Sequence, residues 1–87
     1  MSHRFLVLYP IVKLRSMEEI QFSLEGEYID LLQLLKAVGI AQTGGHAKMI
    51  VEEGGVVRDG EVETRKRAKI RKGDVLEINH HFKVRII

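Results

Sequence analysis

The chain predicts an α+β fold in which a helical hairpin packs on a small, mainly antiparallel sheet, with an N-terminal strand extension. Three observations predict it. Apolar residues recur at helical spacing through YIDLLQLLKAVG (28–39) and again through AKMIVEE (47–53), with turn-forming residues between them. After residue 55 the pattern changes to β-branched residues alternating with polar ones, punctuated by Asp-Gly and Lys-Gly-Asp. Ahead of the helices, EEIQFSL (18–24) alternates with Ile20, Phe22 and Leu24 on one face.

At 87 residues the chain has room for one domain, and a chain of this size buries only about 60–65% of the surface its unfolded form exposes. A 45% hydrophobic content with 30% charged residues and one proline suits a small packed core. With no cysteine, disulfides and thiolate metal sites are excluded and packing alone holds the fold, which fits a cytoplasmic setting. The expected division is residues 1–24 as the strand extension and residues 25–87 as the main body of one domain.

Each element has its own reason. FLVLYPIV (5–12) is too short for a bilayer span, which needs ~20 apolar residues, and is read as a buried strand that Pro10 ends or places at an edge. In the first helix Tyr28, Leu31, Leu32, Leu35 and Val38 form the apolar stripe, and Gly39 ends it. A four-residue link leads to a second helix, with Thr43 as its cap, Ala47, Ile50 and Val51 as its buried stripe, and Gly54 and Gly55 as its stop. Asp59 and Gly60 then suit a type I′ turn, which needs positive φ at both central positions. Lys72, Gly73 and Asp74 mark another turn before VLEIN and FKVRII, where Phe82, Val84 and Ile86 face one way.

Charge is segregated along this chain. Fourteen Lys and Arg stand against 12 Asp and Glu, yet six of the eight positions in residues 65–72 are basic and none is acidic, leaving 8 against 12 in the other 79. Such segregation creates a local potential that attracts a polyanion, although a basic run is often only a solvated strand or turn. In an extended segment Arg65, Arg67, Lys69 and Arg71 would share one face at roughly 6.6–7 Å, close to the spacing of successive phosphates. Ile70, of opposite parity, would anchor the segment, with Lys66 and Lys72 adding less aligned charge. Six neutralised phosphates would give a log-log salt slope of roughly −4 to −5.

TGGH (43–46) has a related logic. The first N–H groups of a helix lack internal acceptors and the helix dipole favours an anion there. Gly44 and Gly45 leave those groups open, or simply make the interhelical bend; both readings are compatible. Lys48 lies one turn further on, and His46 at the helix start is a further candidate contact.

From residue 28 to residue 78 the order of these features resembles the S-four (S4) RNA-binding domain, also called the αL motif. The resemblance is carried by Leu32, Leu35, Gly39, Thr43, Ala47, Lys48, Ile50, Gly54, Val56, Val57, Asp59, Gly60, Gly73 and Asp74. Within the family, TGGHAK and DGEVETRKR look most like the small stand-alone bacterial, ribosome-associated members of the YaaA and YbcJ type. The resemblance implies an αL-type RNA-binding fold and a non-catalytic module for structured RNA, with ribosomal RNA or a ribosomal subunit as partner. With the open helix start and the basic run, the expected RNA contacts are Thr43, Gly44, Gly45, His46, Lys48, Arg58, Arg65, Lys66, Arg67, Lys69, Arg71 and Lys72. Many members carry arginine where this chain has Gln42, Gly44 and Gly45. RNA is preferred over DNA by resemblance alone.

Other chemistry finds little support in the residues. His80 and His81 have no carboxylate or cysteine at ligand spacing and read as a turn, so no metal or cofactor is expected. Ser16, Ser23 and Thr64 stand in no nucleophile motif, and no phosphate-binding or dinucleotide fingerprint occurs. Phe5, Phe22 and Phe82 fall on expected core faces, which argues against single-strand binding on aromatic platforms. The rival readings are a protein-interaction adaptor whose basic run meets an acidic partner, and an accessory subunit that delivers RNA to a separate modifying enzyme.

Overall fold

Asp30 ends a short strand and begins a helix in one step. The computed structural model, which describes residues 17–87, holds Asp30 extended at φ −67°, ψ 138°, and its side chain accepts the N–H groups of Leu32 (2.9 Å) and Gln33 (3.5 Å). In chain order the elements are β1 (Glu18–Phe22), β2 (Ile29–Asp30), α1 (Leu31–Ala37), α2 (Gly44–Glu52), β3 (Val56–Arg58), β4 (Glu61–Val62), β5 (Lys69–Ile70), β6 (Val75–Ile78) and β7 (Phe82–Ile86). The expected strand over residues 5–12 lies outside the described residues.

Because Asp30 caps α1, the expected helical stripe begins too early. Tyr28 precedes the cap, on backbone that runs into β2, and is exposed. Leu34, absent from the expected stripe, is fully buried with Leu31 and Leu35, while Leu32 and Val38 are half-buried. Gly39, at φ +82°, ends the helix by donating to the Lys36 carbonyl at 3.0 Å. The link is six residues long (38–43), not four, since buried Ala41 must first return to the core, where its N–H donates to Leu35 O at 3.0 Å.

α2 follows its sequence closely: Thr43 caps it and Ala47, Ile50 and Val51 are buried. The helices cover a five-stranded sheet of order β1-β7-β6-β3-β4, and one core joins Leu31, Leu34 and Leu35 to Val56, Leu76, Ile78, Val84 and Ile86. Asp59 (φ 52°) and Gly60 (φ 85°) make the expected tight turn between β3 and β4. The sheet is antiparallel except at one edge, where β1 joins β7 in parallel with Ile20 opposite Val84. A separate two-stranded ribbon pairs β2 with β5, Ile29 opposite Ile70 and Asp30 opposite Lys69.

That ribbon fixes the basic run. Ala68 O accepts the Leu31 N–H at 2.9 Å, tying the segment to the first turn of α1, and Ile70 is fully buried as its parity predicts. The run is not one extended row, however. Ala68 N–H donates to Arg65 O at 3.2 Å, closing a turn at Lys66 and Arg67, and only Lys69–Ile70 is strand before the chain bends again at Lys72 and Gly73. The phosphate-like repeat expected from Arg65 to Arg71 therefore survives only at Lys69 and Arg71.

Candidate nucleic-acid interface

The carboxylates that meet the basic run come from elsewhere in the chain. Arg67 Nε donates to Asp30 Oδ2 at 2.9 Å, and Lys66 Nζ lies 2.7 Å from Glu52 Oε2. Arg65 donates through Nε (3.0 Å) and Nη2 (3.2 Å) to Glu63, whose Oε2 also accepts the Arg65 backbone N–H at 3.1 Å. Glu63, only 8% exposed, is held far below the usual carboxylate range, at about 2, first by the Arg65 side chain and then by that backbone N–H and Arg58, against the cost of burial. Lys66, helped by Lys48, likewise lowers Glu52.

Arg58 is held inward. Its guanidinium donates to Glu63 Oε1 (3.3 Å), Lys69 O (2.9 Å) and Asp74 Oδ2 (2.8 Å), so it braces β3 against β5 and the β5–β6 turn. It still lines a shallow groove with Arg65, Arg67, Ala68 and Lys69. Arg65 and Arg67 keep 72% and 82% of their side-chain surface exposed. Arg67 spends only Nε on Asp30, leaving the terminal N–H groups outward. Exposed ion pairs contribute only about 0–1 kcal/mol each, so these contacts orient the guanidinium groups more than they neutralise them.

Lys48, Arg58, Arg65, Lys66, Arg67, Lys69, Arg71 and Lys72 face Asp30, Glu52, Glu63 and Asp74. Among the described residues, the side chains of Lys48, Lys69, Arg71 and Lys72 have no carboxylate partner, although the Arg71 backbone N–H donates to Asp74 Oδ2 at 2.8 Å. The face thus keeps an excess of positive charge located mainly on β5 and its following turn.

The run meets the hairpin where α1 begins and α2 ends, through Asp30 and Glu52. The start of α2 is at the other end of a nine-residue helix, roughly 13 Å long. A stripe of exposed residues on α2, Gly45, Lys48, Met49 and Glu52, runs between them at helical spacing. At the α2 start, Thr43 Oγ1 accepts the His46 N–H at 3.0 Å, and His46 Nδ1 accepts the Gln42 N–H at 3.3 Å. His46 is therefore part of the cap, with Nε2 left to face outward. The N–H groups of Gly44 and Gly45 have no acceptor among the described residues.

Neither glycine is required by the bend. Both have ordinary negative φ; a Cβ at Gly44 would meet nothing within 4 Å, and one at Gly45 only Thr43 Oγ1 at 3.9 Å. Gly55 differs, since a Cβ there would press on Ile50 O at 2.9 Å and on Asn79 Oδ1. His80, with Asn79, turns the β6–β7 connection at positive φ (54° and 55°). Among the described residues no group of His, Asp and Glu is placed to hold a metal ion, and no helix is long and apolar enough to cross a membrane.

Sequence reasoning missed Glu63, Asp30, Glu52 and Tyr28. Asp30 stands directly before an apolar pair, which is a cap pattern and was the available clue; the pairing of Glu52 with Lys66 has no local signature.

A helical hairpin on a mainly antiparallel sheet, with a basic ribbon at its base, defines an αL-type α+β domain. The match to known proteins agrees: the S4 domain model covers residues 22–87, and the chain belongs to that family. YbcJ of Escherichia coli (strain K12) is 43% identical over 54 residues, 62% of this chain and 77% of that protein. "Probable ribosome maturation protein RlbA" of Bacillus subtilis (strain 168) is 39% identical over 56 residues, 64% of this chain and 79% of that protein. The solution structure of Escherichia coli YbcJ, described as revealing an αL motif involved in RNA-binding, superposes with a TM-score of 0.57 at 40% identity, covering 75% of this chain and 85% of that one.

Proposed function

We propose that this chain is a non-catalytic module of the bacterial cytoplasm that binds structured RNA, and that the RNA is ribosomal, bound during ribosome association or assembly. The observation that carries the reading is the shallow groove lined by Arg58, Arg65, Arg67 and Lys69, extended by Arg71 and Lys72. The Arg65 and Arg67 guanidinium groups are oriented by buried or half-buried carboxylates yet remain open to solvent, while Arg58 braces the groove from within. Planar, pre-oriented forks suit bidentate phosphate contacts, and a curved surface suits a folded strand better than a straight one. The relatives named for RNA-binding and ribosome maturation support the same reading.

Lys69, Arg71 and Lys72 supply charge that no carboxylate takes up, and Lys66, Arg65 and Arg67 supply oriented donors. Lys48 and the open N–H groups of Gly44 and Gly45 extend the surface along α2, with Thr43 and His46 shaping the helix start. The test is retention of a structured ribosomal RNA fragment in a filter assay by wild type and by a Lys69→Gln/Arg71→Gln/Lys72→Gln variant. Loss of retention with an unchanged melting temperature supports the proposal, and equal retention contradicts it. Ribosome association that survives nuclease digestion would point instead to a protein partner for the same face.

A further inference from the structure

Tyr28 is an aromatic ring left outside the core. It is 47% exposed, with Lys69 Nζ over the ring at 4.9 Å from its centroid and Arg71 Cζ over it at 5.7 Å. The β2–β5 register explains the cluster. Pairing of Ile29 with Ile70 and Asp30 with Lys69 sets Tyr28 across from Arg71, and the two-residue side-chain alternation of strands puts Tyr28, Asp30, Lys69 and Arg71 on one face. Ile29 and Ile70 take the opposite face, toward the core. Asp30, the acid on the outer face, is already occupied by Arg67 and by the α1 cap.

We propose that Tyr28, flanked by Lys69 and Arg71, is a stacking platform for one unpaired nucleobase of the bound RNA. This rests on the RNA-binding reading above and adds what part of the RNA the face selects. An aromatic ring and a guanidinium plane both stack on bases, and unpaired bases in loops and bulges are the ones free to do so. Lys69 and Arg71 lie over the ring itself, so a base that stacks there takes the place of one of these cations, which is then free to meet a phosphate flanking the splayed base. Charge alone would make the face indifferent to pairing; an exposed ring amid the charge makes it discriminate.

The experiment compares two RNA hairpins with the same stem, one fully paired and one carrying a single bulged 2-aminopurine, against wild type, Tyr28→Phe and Tyr28→Ala. Wild type and Tyr28→Phe are expected to bind the bulged hairpin roughly five- to hundredfold more tightly than the paired one and to quench its fluorescence, as loss of a base–aromatic stack predicts. Tyr28→Ala is expected to bind both hairpins alike and to leave the fluorescence unchanged. If Tyr28→Ala weakens both hairpins equally, the ring only holds Lys69 and Arg71 in place and the platform is overturned. If wild type binds both hairpins equally, the platform is overturned while RNA binding stands. If wild type binds neither hairpin nor a ribosomal RNA fragment, both proposals fall together.

Discussion

Asp30 serves two elements with its two oxygens: Oδ1 accepts the Leu32 N–H at 2.9 Å and Oδ2 accepts Arg67 Nε at 2.9 Å. The cap of the first helix is thus also the anchor of the basic run, 37 residues later. Asp30→Asn keeps a good capping oxygen and removes the charge, so it is expected to leave stability nearly unchanged. Asp30→Ala also loses the cap and is expected to cost about 1–2 kcal/mol. Urea denaturation of the two variants separates the roles, and equal losses would show that the cap carries nothing.

Gly44 and Gly45 sit at helical positions with negative φ and open space around them. Alanine at either site is expected to stabilise the protein by about 0.4–1 kcal/mol, by reducing the freedom of the unfolded chain, and to weaken RNA binding severalfold. Opposite signs in a melt and a binding titration would identify these glycines as kept for ligand approach. Gly55→Ala, by contrast, is expected to destabilise, because its Cβ meets Ile50 O and Asn79.

The depressed Glu63 carboxyl makes stability depend on acid. Its folded value, about 2, is below the ordinary 4.5, so the stabilisation is fully present above pH 4.5 and is lost as pH falls toward 2. Glu63→Gln is expected to cost on the order of 1–3 kcal/mol at neutral pH, as Arg65 and Arg58 lose their shared partner, and to flatten the curve across that window. Chemical denaturation at pH 7, 4 and 2.5 measures both.

Arg65→Glu would face Glu63 directly, so charge reversal there is expected to destabilise the fold as well as the RNA contact. Neutralising Lys72 or Lys48, neither of which has a carboxylate partner among the described residues, is expected to leave the melting temperature within a degree or two while weakening binding. Paired thermal and binding measurements on these variants distinguish scaffold cations from contact cations.

Much of the fold is legible along the chain because it is written locally. Thr43 caps α2, Asp59-Gly60 turns the β3–β4 hairpin, and Ala47, Ile50 and Val51 mark a buried face, each recognisable within a few residues. The candidate site is legible in composition but not in shape. The turn at Lys66 and Arg67 contains no glycine, proline or asparagine to announce it, and it is imposed by a hydrogen bond from Leu31 and a carboxylate from Glu63. Tyr28 fits a helical stripe by spacing, and only the competing cap at Asp30 puts it on the surface.

The most direct test of the basic face is the salt dependence of binding to a structured ribosomal RNA fragment. Six phosphate contacts, from Arg65, Lys66, Arg67, Lys69, Arg71 and Lys72, would give a log-log slope of roughly −4 to −5. Replacing Lys69, Arg71 and Lys72 by glutamine should bring it to roughly −2 to −3. A slope that stays the same in that variant would contradict binding through this face.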